Sequence, residues 1–196
     1  MFGQTQGTHQ QTAPVCPDPV TFSLFFLMKL LITADIHGNL STWLTIQALV
    51  EHSDALVVAG DLFDTRYGSF CHPDFNPEAI RQDVKTAAKP MYYVYGNCDE
   101  PAFFPGQTHT LTFCANGRSL FVHHGFPRVP VPSDTDIVIQ GHTHVWSLEK
   151  TDTQIHMNPG SITRPKKGPA TYGIFDETSV SIRSLDTGLP LMTVNL

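Results

Sequence analysis

Three observations predict an α/β fold. Strand-like apolar runs alternate with amphipathic stretches through the first half of the chain, and strand-like pairs around turn residues fill the second half. Five apolar runs also stop at residues bearing oxygen or imidazole donors. A parallel α/β half followed by hairpins, at a length suited to one domain, suggests two packed sheets with helices outside. The expected architecture is a four-layer αββα sandwich of two mixed β-sheets flanked by helices.

The first good strand is Lys29 to Ala34. Asn39 follows as an N-cap for a helix over Leu40 to His52, with an apolar stripe of Leu40, Trp43, Leu44, Gln47 and Ala48. Ala55 to Ala59 is the second strand, and Phe63 to Asn76 reads as a loop. Asn76-Pro77-Glu78 supplies an N-cap, a proline at the first helical position and a first-turn acid. That helix runs to about Ala88, Pro90 closes it, and Met91 to Tyr95 is the third strand. The βαβαβ order predicts parallel pairing through crossovers.

Thr110 to Cys114 and Ser119 to His123 flank Ala115-Asn116-Gly117-Arg118, and Asn-Gly between two such runs signals a hairpin. Three prolines between Gly125 and Asp136 exclude a helix there, and a further strand runs from Ile137 toward Gly141. Trp146 to Glu149 pairs with Gln154 to Met157, Tyr172 to Phe175 pairs with Val180 to Ile182, and Leu191 to Val194 is the last strand. Residues 1–27, rich in Gln, Thr, Pro and Gly through their first part, read as a disordered or loosely packed extension; residues 28–196 form the domain.

The formal net charge of −6 argues against a protein that tracks nucleic-acid backbone by bulk charge. The longest apolar stretch, Phe22 to Ala34, is interrupted by Ser23, Lys29 and Thr33 and falls short of a membrane span. No basic segment precedes it and no small-residue cleavage site follows it, so a signal peptide is rejected. The four cysteines show no paired spacing, and the expectation is a cytoplasmic protein with reduced thiols.

The donors are Asp35 and His37 after the first strand, Asp61 after the second, Asn97 after the third, His124 after the Leu120 run, and His142 and His144 after the Ile137 run. In open α/β sheets, sites form beyond the carboxyl ends of strands. Mixed oxygen and imidazole donors suit manganese, iron or zinc better than calcium or magnesium. Two metals about 3.5–4 Å apart need a bridging carboxylate, and Asp61 is the candidate. Residues two apart on a strand point to one side, so Asp35 with His37, and His142 with His144, can act as pairs.

The ordered set Asp35-x-His37, Gly60-Asp61-x-x-Asp64, Gly96-Asn97-x-Asp99, His124-Gly125 and Gly141-His142-x-His144 resembles the calcineurin-like metallophosphoesterases. Met28 to Gly38, Gly96-Asn-Cys-Asp99 and Asn158-Pro-Gly-Ser161 narrow the resemblance to small bacterial phosphodiesterases of the YfcE type. It covers residue 28 to the C-terminus and implies a binuclear phosphoric ester hydrolase. Asp35, His37, Asp61 and His144 would hold one metal, and Asp61, Asn97, His124 and His142 the other. A hydroxide bridging two divalent transition ions would attack phosphorus in line. Manganese is the leading metal, with zinc, iron, nickel and cobalt open. Asp64 and Asp99 would stand behind the ligands and orient them.

Two positions depart from the family pattern. Cys98 occupies the place of a histidine that assists the leaving group in many members, and a thiol is the weaker donor. Phe126 stands where a further histidine often follows His-Gly. His123 is an alternative to His124, although alternation turns it to the other face. The implied partner is a small phosphate ester, with nucleic acid disfavoured, no membrane and a homo-oligomer open. The rivals are a phosphomonoesterase or protein phosphatase with the same centre, and a protein-binding scaffold of the retromer-subunit kind. His52, His72 and His109 read as solvated surface, His156 as part of a turn, Arg164, Lys166 and Lys167 as a solvated basic run, and Phe103, Phe104 and Phe113 as core.

Overall fold

A computed structural model describes residues 27–67 and 73–196. The N-terminal extension, apart from Leu27, and the Cys71 and His72 positions therefore lie outside the described residues. The elements follow the expected order: β1 (Leu30–Thr33), α1 (Leu40–Val50), β2 (Ala55–Ala59), α2 (Pro77–Thr86), β3 (Met91–Val94), β4 (Thr110–Ala115) and β5 (Arg118–His123). Then come β6 (Ile137–Gln140), β7 (Ser147–Lys150), β8 (Ile155–Asn158), β9 (Thr171–Phe175), β10 (Ser179–Ser184) and β11 (Pro190–Asn195).

Two mixed sheets result, with strand orders β11-β10-β9-β1-β2-β3 and β4-β5-β6-β8-β7. β1, β2 and β3 run parallel, as the crossover pattern requires. β5, β6 and β8 form a second parallel trio. The expected hairpins β4–β5, β7–β8 and β9–β10 all pair antiparallel. Asn116 and Gly117 take φ of 51° and 73°, the positive values that an Asn-Gly turn between twisted strands demands.

Period-two alternation sorts the strand residues into two cores. Leu30, Ile32, Val57 and Val94 point inward against Phe113, Leu120, Val122, Ile137, Ile139 and Met157 of the facing sheet. Leu31, Leu56, Val58 and Tyr93 point outward against Trp43, Ile46 and Val50 of α1 and Ile80 of α2. Both helices thus cover the six-stranded sheet, and Trp43 Nε1 ties them by donating to Asp83 at 3.2 Å. Among the described residues no helix covers the outer face of the five-stranded sheet.

Asn39 and Asn76 cap the helices as expected, accepting from Thr42 N and Ala79 N. The α1 stripe differs from the expected one. Trp43, Ile46 and Val50 are buried, whereas Leu44 is exposed. Starting the count at Leu40 rotated the stripe away from the face that the sheet covers. Phe113 is core, and Phe103 and Phe104 pack partly buried against the outer cluster. Cys98 is a free, buried thiol, while Cys114 is disulfide-bonded, so the expectation of reduced thiols fails at that position. No helix among the described residues is long and apolar enough to cross a membrane.

Candidate metal centre

The carboxyl ends of both parallel trios meet at one edge of the molecule, and the loops leaving β1, β2, β3, β5 and β6 carry the donors. Hydrogen bonds cross between the sheets there. His124 Nδ1 donates to Ala59 O at 2.9 Å, and Asp35 Oδ2 accepts from His142 N at 3.1 Å. The loops after β1 and β2 continue side by side, with Asp35 N on Gly60 O and both Ile36 N and His37 N on Asp61 O.

The donor pairs converge for a different reason than strand alternation. β1 ends at Thr33 and β6 at Gln140, before the paired donors begin. Asp35 and His37 take φ of 56° and 54°, and His142 and His144 take 72° and 59°. Asp61 and Asp64 share this left-handed conformation at 52° and 53°. Among the described non-glycine residues with positive φ, only Asn116 lies outside the centre. Backbone strain concentrated on chemistry-bearing residues marks a functional site.

Asn158, Ser161 and Thr163 secure these strained loops. Asn158 Nδ2 donates to Gly141 O at 2.9 Å, Ser161 Oγ to Asp35 O at 2.8 Å and Thr163 Oγ1 to Ile36 O at 3.0 Å. Two amides of this turn are already engaged, Gly160 N on Asn158 Oδ1 and Arg164 N on Ser161 Oγ. The turn therefore holds loops in place. Only the Asn-Pro-Gly-Ser string hinted at this role, and Thr163 carried no signal.

His37 Nε2 lies 3.2 Å from His144 Nε2, and Asp35 Oδ1 lies 3.4 Å from His144 Nε2. Asp61 Oδ2 lies 3.2 Å from His124 Nε2 and 3.9 Å from His37 Nε2. Asn97 Oδ1 lies 3.1 Å from His124 Nε2. Six of the seven expected ligands thus meet through their donor atoms. The seventh, His142, is half-buried and meets the set through its ring, 5.0 Å from that of His124 in an edge-to-face contact. His123 turns away beside Phe121, as alternation requires.

The polar atoms point to cations between them. A carbonyl only accepts, so His124 Nδ1 and His144 Nδ1 must carry the protons that they give to Ala59 O and Arg164 O. In its neutral form each ring then presents an Nε2 lone pair to the centre, as metal ligation requires. Asp35, His37 and His144 have ligand atoms close enough to hold one ion, as do Asp35, Asp61 and His124. Asp35 Oδ1 and both oxygens of Asp64 are buried without a hydrogen bond among the described residues. Clustered carboxylates are costly when buried, and divalent cations between them relieve that cost. The residues present fit a divalent metal site.

Charge in the metal-free centre is shared unevenly. Burial raises Asp35 to about 7. Burial also opposes the charge of Asp61, but the hydrogen bond and attraction of His124 outweigh it and bring Asp61 to about 2. The same pair lifts His124 to about 9 against its own burial. Burial holds His144 down at about 4 and lowers His142.

Behind the donors, Asp64 Oδ2 lies 3.4 Å from His37 Nδ1. Asp99 is buried and accepts from Leu62 N, Phe63 N, Asp64 N and Gly96 N. Cys98 N donates to Asp61 Oδ1 at 2.8 Å, and Cys98 Sγ accepts from Asn97 Nδ2 at 3.2 Å.

A family model for the calcineurin-like phosphoesterase superfamily domain matches residues 28–179. Phosphodiesterase YfcE of Escherichia coli (strain K12) is 29% identical over 172 residues, 82% of this chain and 94% of that protein. The solved structure of YfcE, described as a phosphoesterase from E. coli, superposes with a TM-score of 0.73 at 27% identity, covering 85% of this chain and 98% of that one. The zinc complex of Vps29 from Entamoeba histolytica shares the fold, with a TM-score of 0.59 at 18% identity, covering 86% and 99%. The family match spans every strand and loop that carries a donor, and the chain belongs to the calcineurin-like phosphoesterase superfamily.

Proposed function

We propose that the protein is a metal-dependent phosphodiesterase acting on a small phosphate ester, with two divalent transition ions held at the strand ends and manganese as the leading metal. The observation that carries this reading is the convergence of His37 Nε2, His144 Nε2 and Asp35 Oδ1 within 3.9 Å of one another, beside a second set on Asp61. Similarity to the phosphodiesterase YfcE supports the substrate class.

Asp35, His37, Asp61 and His144 would hold one ion, and Asp61, Asn97, His124 and His142 the other. Bound metal supplies water of lowered pKa, about 7, as the nucleophile and charge for the phosphoryl oxygens. The chain's own residues set the donors for that work. Asp61 is suited to bridge: Cys98 N holds Oδ1, while Oδ2 faces both His124 and His37. Ala59 O and Arg164 O fix the tautomers of His124 and His144. Cys98 Sγ holds the amide of Asn97 so that its oxygen faces His124.

The Cys98 thiol stays protonated, because burial and the nearby Asp61 and Asp64 charges push it far above the usual thiol range. It offers a leaving group only weak assistance, which favours esters whose alcohol departs readily. The expected site of action is the cytoplasm.

Purified protein with Mn²⁺ is expected to hydrolyse bis-p-nitrophenyl phosphate, and Asp61→Asn to abolish the activity. Full activity in that variant would remove Asp61 from the bridging role. Relative rates on mono- and diesters separate this reading from a phosphomonoesterase. No bound metal and no hydrolysis with added Mn²⁺, Zn²⁺ or Fe²⁺ would favour a scaffold.

A further inference from the structure

We propose that Phe126 is a stacking platform for the substrate, so that the centre selects phosphate esters carrying a planar aromatic group over alkyl esters. This inference rests on the phosphoesterase reading and adds a substrate class to it.

The backbone places Phe126 directly after a donor. Gly125 takes φ of +104°, and a Cβ there would lie 2.8 Å from Gln140 Nε2. Only glycine lets the chain leave β5 at that angle. The turn carries Phe126 from His124 to His142, where the two rings stack at 5.5 Å and 21°. His142 in turn meets His124 edge-on at 5.0 Å. A row of rings therefore leads from the buried donors to the surface, and Phe126 is its outermost member.

The ring is also open to solvent. Phe126 is 56% exposed, although one of its faces lies against His142. Scattered exposed hydrophobics need no explanation. Leu44, Leu189, Leu191 and Met192 are of that kind. Among the described residues, Phe126 is the exposed large hydrophobic in ring contact with a candidate ligand. Its second face can receive a flat group from a molecule whose phosphate is held at the centre.

The same rim offers a cation. Lys166 N donates to His144 O at 3.0 Å, and the Lys166 charge acts on both His142 and His144. A phosphate next to His142 would thus find positive charge beside an aromatic face, the combination that recognises an aryl or nucleobase phosphate.

Phenyl phosphate and methyl phosphate test the proposal, since they share a headgroup and differ in the flat substituent. Their affinities for the Mn²⁺-loaded full chain can be read by calorimetry and as inhibition of bis-p-nitrophenyl phosphate hydrolysis. The wild type is expected to bind phenyl phosphate about tenfold more tightly, the size of a single stacking contact. Phe126→Ala should remove that preference with methyl phosphate affinity unchanged within about twofold, and Phe126→Trp should retain it. Equal binding of the two phosphates by the wild type, or an unaltered ratio in Phe126→Ala, overturns the platform while diester hydrolysis stands. Absence of both binding and hydrolysis overturns the phosphoesterase reading and the platform with it.

Discussion

His37 and His144 bring their Nε2 atoms to 3.2 Å of each other while their Nδ1 atoms face Asp64 and Arg164 O. His144 Nδ1 gives its proton to Arg164 O, so its Nε2 presents a lone pair toward His37, a position that suits a cation. His144 remains neutral down to about pH 4, so the protons of the metal-free centre reside elsewhere.

His124, raised to about 9, is protonated at pH 7, and Asp35, raised to about 7, is half-protonated. Metal ligands must lose their protons. Loading at pH 7 should therefore release about one and a half protons per chain, one from His124 and half from Asp35. Apparent affinity should rise with pH through the 7 to 9 window and fall as these groups reprotonate below it. Calorimetry in buffers of different ionisation enthalpy reads the proton count directly. Loading with no proton release at pH 7 would contradict the pairing of His124 with Asp61.

Asp99 links the loop after β2 to the loop after β3. Its carboxylate accepts from Leu62 N, Phe63 N, Asp64 N and Gly96 N between 2.8 and 3.3 Å. Asp99→Ala would strand four buried donors, at a cost of about 3 kcal/mol or more. For a chain of this size that is a fall of roughly 10 °C in Tm. Asp99→Asn keeps one acceptor oxygen and should recover part of the loss. Thermal unfolding of both variants, with activity per folded molecule, checks the link. An unaltered Tm in Asp99→Ala would refute it.

The order of elements along the chain, both helix caps and the Asn-Gly hairpin were legible in the sequence because each rests on local chemistry. The candidate donors were legible because each follows an apolar run. What could not be read depends on contacts distant in sequence. The Trp43, Ile46 and Val50 face of α1 is chosen by the sheet beneath it. The pairing of Asp35 with His37 comes from left-handed turns held by Ser161 and Thr163, more than 120 residues away. Asp99 read as an orienting carboxylate, yet its partners are mostly backbone amides more than 30 residues earlier. Phe126 read as a missing histidine, and its stacking on His142 needs β5 and β6 side by side.

Gly96 offers a test of precision at the centre. A Cβ there would overlap the Asp61 carboxylate, with no neighbouring flexible chain end to give way. Gly96→Ala should displace Asp61 and leave the distant core intact. The expected result is a loss of metal affinity of about 10- to 100-fold, the range seen when ligand-supporting contacts are disturbed. Metal titration with far-UV circular dichroism separates the two effects. Wild-type affinity in this variant would show that Asp61 need not stay where Cys98 N holds it.

Cys98 is the position where chemistry and support are hardest to separate. Its thiol accepts from Asn97 Nδ2, which leaves the amide oxygen facing His124. Burial, then the charges of Asp61 and Asp64, keep that thiol protonated, and only the thiolate is reactive. Iodoacetamide at pH 8 should therefore modify Cys98 at least about tenfold more slowly in the folded chain than in urea, as read by peptide mass mapping. Substitution separates support from proton donation. Cys98→Ser retains an atom that accepts from Asn97, whereas Cys98→Ala retains none and frees the amide to rotate. Metal affinity should then be kept in the serine variant and fall several-fold in the alanine variant. If both variants bind metal as the wild type does but lose turnover, the thiol acts on the leaving group and the support role is wrong.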